Sequence, residues 1–338
     1  MHRILHVGLG PLGRRIVSEV IERRTGSIVA AADTAPGLAG TPLSRHVPAA
    51  DPRVKIAGSL EAITDWDAID VALVTTSSDL AACADTFRFL LRKGKAVVST
   101  CEELVYPWLR HLGLAEELDT LAKQYGGRLL GTGVNPGFLM DTLPMVATSV
   151  CRSVRSVKVY RIQDASERRI PFQKKIGAGL TEAQFAAAVK AGTLRHVGLG
   201  ESLHFVAHYA GLTVERWEED IMPVKAERDM QCGIGPIERG MCAGVRQTAS
   251  GYADDRCVIK LEFQAAIGQE HPHDRVVIEG EPPIDMVLQG GVHGDAATCA
   301  ITVNAVPSIL AARPGLHTMA TIPPVRIWAS QPPHHAQI

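Results

Sequence analysis

Apolar and polar positions switch repeatedly between two periods over the first 135 residues. Ile4 to Val7 is a short apolar run. Arg14 to Arg23 carries Ile16, Val17, Val20 and Ile21 at helical spacing, and Ser27 to Ala32 is apolar again. The pattern predicts strand, helix, strand. It then repeats: Asp67 to Val74 reads as a buried strand and Asp79 to Leu91 as a helix capped by Ser77 or Ser78. Lys95 to Thr100 reads as a strand, Leu109 to Tyr125 as a helix, and Arg128 to Thr132 as another strand. Repeated strand–helix units imply a parallel sheet with ligands at the carboxyl ends of its strands. Residues 40 to 56, rich in Pro and Ala, are expected to be a loop of the same domain.

The rhythm changes at Gly133-Val134-Asn135-Pro136-Gly137. Ser153 to Arg161, Val214 to Val224 and Cys257 to Ile267 alternate like half-buried strands. Arg275 to Gly280 and Ala297 to Val303 supply further predicted strands, and Thr181 to Ala191 and Leu203 to Ala210 predicted helices. Asn304 to Leu310 is apolar and helical, and the tail after Trp328 is expected to be loose.

The first strand runs straight into Gly8-Leu9-Gly10-Pro11-Leu12-Gly13, and Asp33 ends the second strand. Each glycine has a physical task. Gly8 allows the tight turn, Gly10 leaves room for a pyrophosphate, and Gly13 lets the helix close on the strand. The helix N-terminus offers unpaired N–H groups, and Asp33 can accept from ribose hydroxyls. A 2′-phosphate would meet that carboxylate, so NAD(H) is favoured and NADP(H) is possible. The predicted fold class is therefore α/β: an N-terminal Rossmann dinucleotide-binding domain followed by an α+β domain built on a mostly antiparallel sheet. The expected boundaries are 1–135, joined by about 304–328, for the first domain, and 136–303 for a substrate-binding and dimerisation domain.

Composition narrows the class. The chain has 338 residues, 46% hydrophobic and 21% charged, with a net charge of −1. That balance gives no electrostatic case for nucleic acid or an anionic membrane surface. No apolar run approaches a membrane span, and no signal peptide is expected before the first strand. Seven scattered cysteines suit reduced thiols in the cytoplasm. The 13 histidines form no recognised metal signature, so no metal is expected.

Candidate chemistry lies at the strand ends. Thr75, Thr76 and Ser77 can line the ribose and diphosphate. Thr100, Cys101, Glu102 and Glu103 follow a strand whose end should face the nicotinamide. A carboxylate there can take protons from an ammonium or stabilise an iminium, or it can simply favour a helix N-terminus. Asn135 can hydrogen-bond the nicotinamide amide or a substrate nitrogen. Arg161, Arg168 and Arg169 are candidates to hold a carboxylate, or to be structural charges.

Three stretches carry a specific resemblance: Cys101-Glu102-Glu103-Leu104 with Tyr106-Pro107, Gly131 to Phe138, and Gln163-Asp164-Ala165-Ser166 with Arg168-Arg169. Together with Gln173 to Gly179, His293-Gly294-Asp295 with Thr298, and Val303-Asn304-Ala305 with Pro307, they resemble the 2,4-diaminopentanoate dehydrogenase and native amine dehydrogenase family, relatives of dihydrodipicolinate reductase. The resemblance implies reversible reductive amination of a small ketone or aldehyde with ammonia, using a nicotinamide cofactor. Glu102 matches the family's catalytic carboxylate, with Glu103 the register alternative. The cofactor set is then Gly8, Gly10, Pro11, Leu12, Gly13, Asp33, Thr75, Thr76, Ser77, Thr100, Cys101 and Asn135. Phe138, Met140, Tyr160, Gln163, Phe172 and Thr298 are the candidate substrate pocket. The dicarboxylate-binding His-His stretch of dihydrodipicolinate reductases is missing. A homodimer is expected. The alternatives are 2,4-diaminopentanoate dehydrogenase proper, a dihydrodipicolinate reductase-like imine reductase, and a non-catalytic NAD-sensing protein.

Overall fold

The computed structural model describes residues 1–328, so the tail expected to be loose lies outside the described residues. Among the described residues, Met1–Phe138 and the chain from Gly294 to Trp328 form one compact unit, and Leu139–His293 form a second.

The chain opens with β1 (His2–Val7), α1 (Pro11–Glu22), β2 (Gly26–Ala32) and the short β3 (Ile56–Ala57). Pro11 occupies the first turn of α1, where a missing N–H is harmless, and Ile16, Val17 and Val20 form its buried face. Next come β4 (Val71–Val74), α2 (Leu80–Arg92), β5 (Ala96–Ser99), α3 (Leu112–Tyr125) and β6 (Arg128–Gly131). The strand predicted from Asp67 begins only at Val71, because Ile69 turns back to bond the Trp66 carbonyl. The α2 cap also differs from expectation. Asp79 accepts the Ala82 N–H at 2.9 Å, while Ser77 Oγ accepts from the Asp79 amide. The acid is the better-placed acceptor, and the serine shapes the turn before it.

The second unit contains α4 (Thr142–Ala147), β7 (Ser153–Asp164), α5 (Ile170–Lys175), α6 (Glu182–Lys190), α7 (Leu199–Ala210) and β8 (Arg216–Lys225). It continues with β9 (Met230–Cys232), β10 (Gly235–Ile237), β11 (Cys242–Ala253), β12 (Arg256–Ala266), β13 (His273–Glu281) and β14 (Ile284–Gln289). Six of these strands form one sheet in the order β14-β13-β7-β12-β11-β8. The expectation of a mostly antiparallel sheet is corrected to a mixed one: at its centre β7 and β12 run parallel. Alternating side chains report a half-buried face, not strand direction. The long connection from β7 to β12 permits the parallel pairing.

The chain returns to the first unit through α8 (Gly294–Ala311) and β15 (Gly315–His317). Ala297 to Val303, expected as a strand, lies inside α8. The β-branched run Ile301-Thr302-Val303 suggested extension, but α8 packs against α1 and β5, and burial overrides local propensity. Thr302 satisfies its hydroxyl within the helix by donating to the Thr298 carbonyl at 2.7 Å. The completed seven-stranded sheet has the order β15-β6-β5-β4-β1-β2-β3. All its pairs are parallel, so every carboxyl end points the same way. Beneath α2 and α3 the core includes Leu5, Val74, Phe87, Leu90, Val97, Leu118 and Leu129, all buried. Burial of each such large side chain contributes roughly 1.5–3 kcal/mol.

Candidate active site

The glycine loop sits at the carboxyl end of β1. Gly8 has φ +93°, and a Cβ there would lie 2.8 Å from the Thr75 carbonyl oxygen. A Cβ on Gly13 would strike the Gly8 carbonyl oxygen and come within 2.6 Å of Thr75 Oγ1. Gly10 is different: a Cβ there would meet nothing within 4 Å. Two glycines are therefore demanded by the protein's own packing, and the middle one faces open space. Gly10 is also the N-cap of α1 and supplies no side-chain cap, leaving first-turn N–H groups for an anion.

A buried network holds this loop from beneath. The Gly8 carbonyl accepts from Thr75 Oγ1 at 2.8 Å and lies 3.0 Å from His6 Nε2. A carbonyl can only accept, so Nε2 carries the proton. Burial pushes the His6 pKa down to about 4, keeping the ring neutral. Sequence inspection did not single out His6. Its signal was one polar residue inside the apolar run from Ile4 to Val7.

Asp33 is half-buried at the end of β2. It accepts the Leu9 N–H at 2.5 Å and the Ala35 N–H at 2.7 Å, so it braces the glycine loop as well as facing the cavity. That cavity is about 730 Å³. Its lining includes Gly8, Gly10, Asp33, Thr75, Thr76 and Ser77 of the expected residues. Pro11, Leu12, Gly13, Thr100, Cys101 and Asn135 are not among its lining residues. Leu60, Glu61, Arg88, Phe89 and Arg92 form a far wall that the strand-end pattern did not reveal, because they come from a loop and from the exposed side of α2.

After β5, Glu102–Val105 form a single 3-10 turn. It carries both candidate carboxylates, and they differ. Glu103 is buried, and its Oε2 accepts the Leu80 N–H at 2.9 Å and lies 3.0 Å from His111 Nε2. That carboxylate ties the turn to the start of α2. Glu102 is half-buried and is the first residue of the turn. Cys101 is fully buried, with Sγ 3.3 Å from the Ser78 carbonyl. Past β6, Gly137 adopts φ +123° and Val134 N–H donates to Thr298 Oγ1 at 3.2 Å. Both polar atoms of the Asn135 side chain are buried with no hydrogen-bond partner. An open cradle at Gly10 and an unsatisfied amide at Asn135 both fit a dinucleotide.

The expected pocket residues divide between the units. Phe138 and Thr298 belong to the first, and Met140, Tyr160, Gln163 and Phe172 to the second. Met140 is fully buried. Gln163 Nε2 donates to the Val292 carbonyl at 3.3 Å, and the Arg168 guanidinium lies 4.0 Å from the centre of the Phe172 ring. Arg161 is a structural charge: it is 2% exposed, pairs with the buried Asp274 at 2.7 Å and donates to the Val292 carbonyl. Among the described residues, no group of three His, Cys, Asp or Glu side chains is placed to hold a metal ion. No described helix is long and apolar enough to cross a membrane.

The family of 2,4-diaminopentanoate dehydrogenase C-terminal domains matches residues 138–337. A 2,4-diaminopentanoate dehydrogenase of Acetoanaerobium sticklandii is 32% identical over 329 residues, covering 95% of this chain and 93% of that one. An amine dehydrogenase of Streptomyces virginiae is 22% identical over 272 residues, covering 72% of this chain and 73% of its own. The solved structure of an amine dehydrogenase from Mycobacterium smegmatis matches with a TM-score of 0.82 at 22% identity, covering 96% of this chain and 97% of that one. That structural likeness speaks to the fold.

Proposed function

Because the chain belongs to the 2,4-diaminopentanoate dehydrogenase family, we propose that it is a nicotinamide-dependent oxidoreductase acting on the CH–NH2 group of a small amine. In reverse it would aminate a ketone or aldehyde with ammonia. The single observation that carries the site assignment is the engagement of Glu103 by Leu80 and His111. It gives Glu103 a structural task, and we assign proton transfer to Glu102, the half-buried first residue of the turn.

The bound cofactor supplies the hydride acceptor or donor at its nicotinamide C4. The chain's own residues do the rest. Gly8, Gly10 and the first turn of α1 hold the diphosphate, with Pro11, Leu12 and Gly13 shaping that turn. Asp33 takes the adenosine ribose and favours NAD(H), with NADP(H) second. Thr75, Thr76 and Ser77 line the same cavity and would contact the ribose and diphosphate. Thr100, Cys101 and Asn135 are assigned to the nicotinamide end, where the unsatisfied Asn135 amide can receive the carboxamide. Glu102 removes a proton from the substrate ammonium in oxidation, and returns one to the nitrogen in reduction. We assign Phe138, Met140, Tyr160, Gln163, Phe172 and Thr298 to substrate binding, and we place the protein in the cytoplasm as a homodimer.

A second substrate reading is 2,4-diaminopentanoate itself, favoured by the 32% identity to the A. sticklandii protein. The commitment of Arg161 to Asp274 removes one candidate for a carboxylate clamp. Turnover of NAD+ with a panel of simple amines, amino acids and 2,4-diaminopentanoate separates the two readings. Oxidation of simple amines supports the first, exclusive use of the diamino acid supports the second, and no amine-dependent turnover contradicts both.

A further inference from the structure

The loop that carries Thr75, Thr76 and Ser77 rests on two thiols that take no part in the proposed proton or hydride transfer. Cys83 lies in the first turns of α2 and is 1% exposed. Cys101 follows β5 and is fully buried. Cys83 Sγ lies 3.6 Å from the Ser77 carbonyl oxygen and 3.4 Å from Thr76 Oγ1. Cys101 Sγ lies 3.3 Å from the adjacent Ser78 carbonyl. Each thiol is the largest influence on the other's acidity, Cys101 lowering the pKa of Cys83 and Cys83 raising that of Cys101. Two side chains distant in sequence are thus paired under one loop. Thr76, which touches the first of them, is exposed and lines the nucleotide cavity, so the pair is one side chain away from solvent.

We propose that Cys83 and Cys101 are an oxidative modification site, closed to an intramolecular disulfide by a hydroperoxide, and that closure weakens nucleotide binding by releasing the Thr75–Ser78 loop. The second half of that proposal rests on the dinucleotide reading of the cavity.

Cys83 is the attacking sulfur. The neighbouring Cys101 thiol holds its pKa down, while Cys83 and burial push Cys101 up. A position near the start of a 13-residue helix favours the thiolate further. The Cys83 thiolate attacks the terminal peroxide oxygen and the O–O bond breaks. This gives a sulfenic acid and an alkoxide, which leaves as the alcohol after taking up a proton. Cys101 sulfur then displaces the sulfenic hydroxyl, which departs as water with the Cys101 proton, and the S–S bond forms. The two sulfurs lose two electrons and the peroxide gains them.

Closure has a structural consequence. Both S–H groups disappear, so the Ser77 and Ser78 carbonyls each lose a donor. The Glu103 amide also bonds the Ser78 carbonyl at 3.2 Å, so the disturbance reaches the turn that carries Glu102.

The full chain, without nucleotide, is treated with hydrogen peroxide, alkylated and digested without reduction. Peptides spanning Cys83 and Cys101 should appear cross-linked and two hydrogens lighter. Dithiothreitol should restore the free thiols. Hydrogen exchange over residues 75–80 should rise on oxidation, and NADH affinity should fall by about tenfold, the scale of one or two lost hydrogen bonds. Cys83→Ser should bind NADH normally before peroxide and keep that affinity after it. Oxidation confined to the less buried Cys151, Cys232 or Cys257 overturns the assignment, as does a cross-link that leaves exchange and affinity unchanged. A Cys83→Ser variant as sensitive as the parent also overturns it. The cross-link and the exchange are read without nucleotide, so a failure of NADH binding in the untreated protein contradicts the proposed function and leaves this test intact.

Discussion

Glu103 Oε2 lies 3.0 Å from His111 Nε2, joining the turn after β5 to the residue that opens α3. The same oxygen accepts the Leu80 amide. Two adjacent acids, indistinguishable by spacing, thereby receive different tasks. Glu103→Ala strands two donors, one of them a buried backbone N–H. It should lower stability by about 1–3 kcal/mol. Glu102→Gln should leave stability within about 0.5 kcal/mol of the parent. Urea unfolding of both variants checks this, and the reverse order would exchange the roles.

Gly10 and Gly13 should respond oppositely to one added methyl group. Gly10→Ala meets no protein atom within 4 Å, so its melting temperature should hold while NADH affinity falls. Gly13→Ala collides with the Gly8 carbonyl and should cost about 1–3 kcal/mol of stability, the usual scale of overpacking. Thermal melts and a fluorescence titration with NADH separate the two effects. Undiminished NADH affinity in Gly10→Ala would place the diphosphate elsewhere.

The first unit was legible because its signals are local. The run from Ile4 to Asp33 encodes strand, turn, helix, strand and acid within one stretch, and each glycine's task follows from its neighbours in sequence. What escaped depends on distant partners. Nothing near Glu103 announces Leu80 or His111, and nothing near Arg161 announces Asp274, 113 residues away. Strand β11 was not anticipated, because Gly244 and Gly251 interrupt its alternation. The backbones of Ala265 and Ala266 crowd Gly244, and side chains of Leu203 and Val214 pack on Gly251. The Ala297–Val303 error has the same origin: β-branched residues look extended until the packing of α8 on α1 and β5 is known.

Acid should destabilise the protein through His6 and through His196, which precedes α7 and stacks on Phe263 with ring centroids 4.5 Å apart. Burial lowers their pKa values from 6.5 to about 4 and about 3. The unfolded chain therefore binds more protons at intermediate pH. The stability these groups contribute is complete above about pH 6.5 and is lost as pH falls toward their folded values. For His6 the loss amounts to about 3 kcal/mol. His6→Gln keeps a donor for the Gly8 carbonyl but does not titrate. Its stability should therefore fall less than the parent's between pH 6.5 and 4. Parallel pH profiles for the two proteins would remove the assignment.

The Arg161–Asp274 pair should matter far more than its exposed neighbour in the same sheet. Asp274→Ala leaves a 2% exposed guanidinium without its carboxylate and should cost about 3–5 kcal/mol. Asp285→Ala breaks the exposed contact with Arg275 and should cost less than about 1 kcal/mol. Denaturant unfolding of the two variants supplies the comparison, and equal losses would show that the buried pair is replaceable.

The central claim is proton transfer by Glu102 in an amine-forming hydride transfer. The most direct measurement incubates the protein with ammonium, a small ketone and NADH deuterated at the reactive C4 position, and follows the product by mass spectrometry. The account predicts an amine carrying deuterium on the carbon that bears nitrogen. It also predicts a fall of about 10²–10⁴ in that rate for Glu102→Gln with NADH affinity retained. Product that is only the alcohol, an unlabelled amine, or a Glu102→Gln variant turning over at the parent's rate would contradict it.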